Sequence, residues 1–324
     1  MRRTILRLVT AVQLTRLTMA YGAIADVWLV ILLTRADPAM SDRPVSQLPI
    51  AVALAAGLAV AVGLFTFGAT LNDVLDVRLD RGFRRDRPIA AGRISPQQAI
   101  IVANTCLAAA VLAAFAFGPG GVALAALTAL GIVFYMAAAR FLPAAGFITF
   151  GLVHAATMVI PNVVFSFTPP IWLSMTHATA VTILVHRLAD KRPRTGGRAL
   201  AVTLAGWAIW SATILGWGWT HGSWWRDSDG GPWPGLLWVV AAVAGFAITV
   251  GAKVRHSRGE AAAEKVLRYG AMWQSLYAVA WLASRELWPQ ALMLGGVAAG
   301  GFVAMTVTKE LVSAIQQPPE YRTG

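Results

Sequence analysis

The chain has 324 residues, 57% of them hydrophobic and only 13% charged, against roughly 25% charged in a soluble domain. Its net charge is +12, but the basic residues lie between apolar runs. That distribution fits a membrane protein with anionic lipid headgroups and phosphate-bearing substrates as partners, and argues against nucleic acid. The single cysteine, Cys106, excludes an intrachain disulfide framework and cysteine-based zinc, and is expected to pack.

The basic start MRRTILRLVT leads into an apolar run with no small-residue cleavage site, so residues 10–34 read as a retained first span rather than a signal peptide. This span carries Arg16 and Asp26. An acid within a membrane is costly, so Asp26 faces a cavity as an acceptor-side base, pairs with Arg16, or sits near the outer surface. The second span, 49–71, ends in NDVLDVRLDRGFRRDRPIAAGRIS, residues 72–95. Four of the chain's ten aspartates, Asp73, Asp76, Asp80 and Asp86, fall there. On a helix, Asn72, Asp73, Asp76 and Asp80 share a sector of about 100°. Like charges one turn apart repel, and at a membrane border the surroundings screen them less than water does. A positive partner is therefore expected. Mg²⁺ fits, because it takes oxygen ligands and is commonly held by a few carboxylates with phosphate oxygens. Arg84, Arg85 and Arg87 lie within reach and suit a diphosphate clamp. The plainer alternative is a salt-bridged surface loop.

Further spans follow at 97–117, 120–140, 143–167, 171–188, 199–220, 235–252, 266–285 and 290–311. GPGG at 118–121 and Pro169-Pro170 mark outer turns. Trp224, Trp225 and Trp233 flank an outer loop, as interfacial anchors do. The ninth span is interrupted by Gln274 and Ser275. His154, His177 and Asn162 are expected to make interhelical hydrogen bonds. The expected fold is all-α, a polytopic bundle of about nine to ten helices formed by one domain over residues 1–324. With the N-terminus inside, 22 Lys and Arg fall on the cytoplasmic side, four (Arg35, Arg43, Arg226 and Arg285) outside, and Arg16 within the first span. The positive-inside rule thus puts the acidic loop and the 187–198 loop on the cytoplasmic side. The placement of these loops after spans two and six hints at an internal repeat. The abundance of Ala and of Arg over Lys points to a bacterial cell membrane.

The pattern N-D-x-x-D-x-x-x-D followed by R-P-I-x-x-G-x-I-S, from Asn72 to Ser95, resembles the first motif of the UbiA superfamily of intramembrane prenyltransferases. Its short Asp80-to-Arg87 spacing is similar to the chlorophyll-synthase and homogentisate-prenyltransferase branches. Arg16, Tyr135 and Arg140 also match family positions. The resemblance implies about nine helices around a central cavity with a cytoplasmic polar cap. It implies Mg²⁺-dependent transfer from a prenyl diphosphate to a small lipophilic, often aromatic acceptor. Asn72, Asp73, Asp76 and Asp80 would then hold metal, and Arg16, Arg84, Arg87 and Arg140 the diphosphate. Asp73, Asp76 and Tyr135 would carry the chemistry, Tyr135 by turning its π face to an allylic cation.

The family's second acidic motif is reduced here to LVHRLADKRPRTGGRAL, residues 184–200. One reading has Asp190, with His186, form a diminished second metal site while Lys191 or Arg192 replaces missing metal charge at the phosphates. The other has a different substrate, or a diphosphate with one metal. Two rival functions remain: a terpene cyclase of the same fold, and a membrane transporter or binding protein whose charges only set topology.

Overall fold

The computed structural model describes residues 10–84, 87–222 and 233–316, and all regular structure among them is helical. The ordered elements are α1 (Tyr21–Ala36), α2 (Ile50–Leu75), the short α3 (Val77–Phe83), α4 (Pro96–Ala114), α5 (Gly118–Ala137) and α6 (Pro143–Val159). They continue with α7 (Pro169–Leu188), α8 (Gly197–His221), α9 (Trp233–Val254), α10 (Gly259–Ser284) and α11 (Trp288–Gln316). Each expected span contains a helix. The outer loop with Trp224 and Trp225, and the side chain of Trp233, lie outside the described residues.

Local chemistry sets the boundaries. Ser95 accepts from the Gln98 backbone while the Gln98 side chain accepts from the Ser95 N–H, a capping box ahead of Pro96 at the first helical position of α4. A turn at Gly118, φ 83°, opens α5, as GPGG predicted. Pro169 and Pro170 form the first turn of α7 rather than a separate loop, since the N–H groups they lack would have no helical partner there. The first span is not continuous. Helix over residues 10–15 stops at Arg16, which has φ 47°; a 3₁₀ turn, Leu17–Met19, follows before α1 begins. Such a break at membrane depth is tolerated where protein rather than lipid surrounds it, and it turns the Arg16 side chain toward α2.

α1 is the central helix. Its Val27 and Ile31 pack with Leu64 and Phe67 of α2, Ala110 of α4 and Ile132 of α5. Its Ala25 and Leu29 pack with Met158 of α6, Met175 of α7 and Leu282 of α10. α2 and α4 approach closely at Gly63, where a Cβ would lie 2.6 Å from the Cys106 carbonyl oxygen, and Cys106 packs in that seam as expected.

Among the described residues, five stretches are long and apolar enough to cross a membrane: Ile50–Leu75, Pro96–Phe141 (α4 with α5), Gly197–His221, Gly235–Val254 and Trp288–Thr308. Ile209, Leu237 and Leu292 project from the outer ones, as lipid-facing side chains should. α7 and α10 are less apolar for a physical reason: their neighbours are other helices, so Ser174, His177, Gln274 and Ser275 are buried where partners can reach them. The protein is an integral-membrane helical bundle.

Candidate active site

The acid motif straddles a joint. α2 ends at Leu75, Asp76 takes φ −89° and ψ 1°, and α3 resumes at Val77. The helical hydrogen bonds persist through the joint, with Asp76 N–H donating to the Asn72 carbonyl and Asp80 N–H to the Asp76 carbonyl. The four polar side chains therefore stay together, though not on one regular helix.

Three arginines from separate parts of the chain meet them. Arg16 Nη2 donates to Asp73 Oδ1 at 2.7 Å. Arg87 Nη1 bridges Asp73 Oδ1 and Asp80 Oδ2, each at 2.9 Å. Arg140, in the 3₁₀ turn after α5, places Nη2 2.9 Å from Asp76 Oδ1 and Nη1 3.3 Å from Asn72 Oδ1. Asp73 and Asp80 are buried, with side chains 3% and 6% exposed, whereas Asp76 is 21% exposed. The positive partner that the sequence demanded is thus supplied in part by guanidinium groups. Gln13, Arg16, Met19, Asp73, Arg84, Arg87 and Pro88 line a cavity of about 260 Å³ beside this face. Gln13, which accepts from Arg93, carried no signal in the sequence beyond being polar within an apolar stretch.

The charges perturb one another. Burial raises the Asp80 carboxyl pKa above the ordinary value, and Asp73 and Asp76 add to this against the opposing pull of Arg87. Partial desolvation lowers the Lys191 pKa although the residue as a whole is exposed; Arg84, Arg87 and Arg16 push the same way and Asp76 opposes them. Lys191 therefore feels the acid face. Tyr135 lies at the same end of the bundle with its ring centroid 5.4 Å from that of Phe150. Arg84 makes a loose, exposed pair with Glu260 at 3.7 Å.

The second loop is arranged otherwise. Asp190, φ 43°, is exposed and accepts from Arg194 Nε and Nη2, both at 3.2 Å, an interaction that lowers its pKa. His186 Nε2 lies 2.8 Å from the Pro193 carbonyl oxygen, and its ring packs edge-on against Phe147. Arg192 is exposed. The structure therefore does not bring Asp190 and His186 together with the acids as ligands. The cause is local: Arg194, four residues on, takes up the carboxylate, and the adjoining turn takes up the imidazole.

A Mg²⁺ ion suits the oxygen donors of the first motif. Each of Asp73, Asp76 and Asp80 commits one carboxylate oxygen to an arginine, and its second oxygen has no hydrogen bond among the described residues. No group of three or more His, Cys, Asp or Glu is gathered as a cage among those residues.

Two interior expectations are resolved. Asp26 does not pair with Arg16; it accepts from Ser174 and Gln274. His177 bonds between helices to Gly270 and Tyr277, and Asn162 reaches Thr34.

Residues 38–277 match the sequence profile of the UbiA prenyltransferase family. The chain is 28% identical over 128 residues to the digeranylgeranylglyceryl phosphate synthase of Methanosarcina barkeri, over 39% of this chain and 44% of that protein. It is 36% identical over 100 residues to the synthase of the same name from Methanothrix thermoacetophila, over 31% of this chain and 38% of that protein. The chain thus aligns with less than half the length of these curated relatives. Its fold is similar to a solved structure described as digeranylgeranylglyceryl phosphate synthase in membranes, with TM-score 0.56, 16% identity, and 86% and 98% of the two chains covered. The profile match takes in the acid motif, Tyr135, Arg140 and the altered second loop alike, and the chain belongs to the UbiA prenyltransferase family.

Proposed function

We propose that the protein transfers a prenyl group from a prenyl diphosphate to a lipophilic acceptor within the membrane, with Mg²⁺ as cofactor. The observation that carries this reading is the convergence of Arg16, Arg87 and Arg140 on the acid motif beside a cavity. An ordinary salt-bridged loop does not need its acids buried or its arginines drawn from three separate segments.

The residues divide the work. The free oxygens of Asp73, Asp76 and Asp80, with Asn72, would hold the cofactor, which when bound would supply charge neutralisation to the departing pyrophosphate. Arg87 spends only Nη1 on the acids, so its other nitrogens are available to the diphosphate. Arg16, Arg84, Arg140 and Lys191 add charge around it. As the bond between prenyl C1 and the diphosphate oxygen breaks, the electron pair leaves with pyrophosphate, where these cations stabilise it. Tyr135 presents its π face to the allylic cation. The acceptor oxygen then forms the new bond to C1 as its O–H bond breaks, and the proton passes to the departing pyrophosphate. The name of the aligned relatives describes a glyceryl phosphate carrying two geranylgeranyl groups, which supports a hydroxylated lipid over an aromatic ring as acceptor. The excess of basic residues at the site's end of the bundle supports a cytoplasmic active site in a cell membrane.

The test is direct. Protein in lipid nanodiscs is given geranylgeranyl diphosphate with and without Mg²⁺, and lipid acceptors are then added. Mg²⁺-dependent binding, pyrophosphate release and a prenylated product are expected. Binding and product that survive both EDTA and Asp76→Asn would overturn the reading, and a cyclised hydrocarbon formed without acceptor would reassign the reaction to cyclisation.

A further inference from the structure

A second polar cluster lies deep in the bundle, on atoms that the proposed reaction does not use. Asp26 of α1, His154 of α6, Ser174 of α7 and Gln274 of α10 meet there. Asp26 Oδ2 accepts from Ser174 Oγ at 2.9 Å and from Gln274 Nε2 at 3.2 Å. Gln274 Nε2 also lies 3.0 Å from His154 Nδ1. Ten residues separate Asp26 from Arg16 and nine separate it from Arg35, whose guanidinium binds the Val45, Ser46 and Leu48 carbonyls at the opposite end. Asp26 sits within α1, between the break at Arg16 on the acid-motif side and Arg35 at the opposite end, so it lies inside the bundle away from both.

The cluster is not self-satisfied. Both bonds to Asp26 fall on Oδ2, and Oδ1 accepts none among the described residues. Gln274 Oε1 accepts none either. Gln274 Nε2, which also lies 3.2 Å from Ser174 Oγ, can only donate, so with His154 Nδ1 as its nearest acceptor the neutral imidazole carries its proton on Nε2, which has no partner among the described residues. None of these three atoms is among the unpartnered atoms sealed in by packing, so each keeps some accessible surface although Asp26 and Gln274 are buried residues. α1 is buried nearly all round, which places the cluster inside the bundle rather than against lipid. Two acceptors and one donor thus keep unused hydrogen-bonding capacity where unpaired polar groups are costly. Helix-to-helix bonding alone leaves that capacity unused. Aromatic rings join the cluster to the active site: the Tyr135 and Phe150 rings are 5.4 Å apart, and those of Phe150 and His154 are 4.9 Å apart.

We propose that Asp26, His154 and Gln274, held by Ser174, form a recognition site for a hydroxyl group carried by a lipophilic substrate inside the bundle. A hydroxyl both donates and accepts, so it can give its proton to Asp26 Oδ1 or Gln274 Oε1 and receive the His154 Nε2 hydrogen. A site built to bond a hydroxyl discriminates strongly against the analogue lacking it, because its own polar groups are then left unpaired. The arrangement makes this cluster a determinant of substrate specificity, separate from the machinery that binds diphosphate.

The test uses intact protein in nanodiscs without Mg²⁺ or any prenyl diphosphate, so its outcome is independent of the prenyl-transfer reading. The probes are two diazirine lipids of equal chain length, one a long-chain alcohol and one the matching alkane. The alcohol is expected to label α1, α6, α7 or α10 at least about tenfold more strongly than the alkane, and unlabelled alcohol should compete. Asp26→Leu and Gln274→Leu should each abolish the preference, whereas Ser174→Ala should weaken it. Thermal unfolding of each variant separates this effect from misfolding, because loss of a purely structural contact lowers the melting temperature without touching selectivity. Equal labelling by alcohol and alkane in the wild-type protein overturns the proposal, and so does a preference that persists in folded Asp26→Leu.

Discussion

Removing Arg87 should destabilise the metal-free protein, and removing Asp80 as well should restore most of the loss. Arg87 Nη1 is the bridge between Asp73 and Asp80, with the arginine side chain 17% exposed and the acids nearly buried. Breaking a buried pair from one side costs about 3–5 kcal/mol, because a charge is left without compensation. Here Asp73 retains Arg16 at 2.7 Å, so only Asp80 is stranded, and Arg87→Ala should cost about 3 kcal/mol, the lower end of that range. Asp80→Asn removes the stranded charge, so the double variant should recover the larger part. Chemical unfolding in a mild detergent, run as a double-mutant cycle, measures the coupling. Arg87→Ala as stable as wild type, or a double variant less stable than Arg87→Ala, would refute the view that these acids are held by compensation rather than by packing.

Asp80→Asn alone should leave the metal-free protein at least as stable as wild type at neutral pH. The folded-state pKa of Asp80 is raised, so its ionised form is disfavoured by folding; the difference should fade as pH falls through that raised value and vanish below the ordinary carboxylate range. Unfolding curves across pH check it, and a neutral-pH loss of stability in Asp80→Asn would contradict the sign. Asp76→Asn should weaken Mg²⁺-dependent diphosphate binding by at least about a hundredfold, the loss of a charged ligand at roughly 3 kcal/mol. Asp190→Asn should change it by less than about threefold because that carboxylate is exposed and engaged by Arg194; calorimetry compares the two, and equal losses would restore Asp190 as a ligand. Ser95→Ala should cost about 1 kcal/mol through loss of the α4 cap, and the melting temperature should fall with no change in diphosphate affinity.

The acid motif was legible in the sequence because its signal is local. Four polar side chains within nine residues of a helix end repel one another, and repulsion at a membrane border implies a counter-charge. What the sequence could not supply was the source of that charge. Arg16 reads as an awkward cation inside a span; only the backbone break at its left-handed φ swings it onto Asp73. Asp190 shows the converse. Its spacing from His186 suggested a ligand pair, but an arginine four residues away takes the carboxylate. The long apolar spans were readable from hydropathy, whereas α7 and α10 are harder to read because burial between helices, unlike exposure to lipid, permits Ser174, His177 and Gln274.

The two polar regions obey one constraint at different depths. At the membrane border, charge is retained because opposite charge is brought to it: Arg16, Arg87 and Arg140 each neutralise part of an acidic surface while leaving carboxylate oxygens free. Inside the bundle, among the described residues, no guanidinium is paired with Asp26; a hydroxyl and an amide hold one of its oxygens instead. The border arrangement suits a ligand that brings both cation and anion, which a metal diphosphate does. The interior arrangement suits a neutral group with one proton to give and one to receive. The break at Arg16 separates the two along the first span, and the same helix, α1, then carries Asp26 into the core. Donor recognition and hydroxyl recognition would therefore be carried by one stretch of chain, the first by Arg16 at the break and the second by Asp26 on α1.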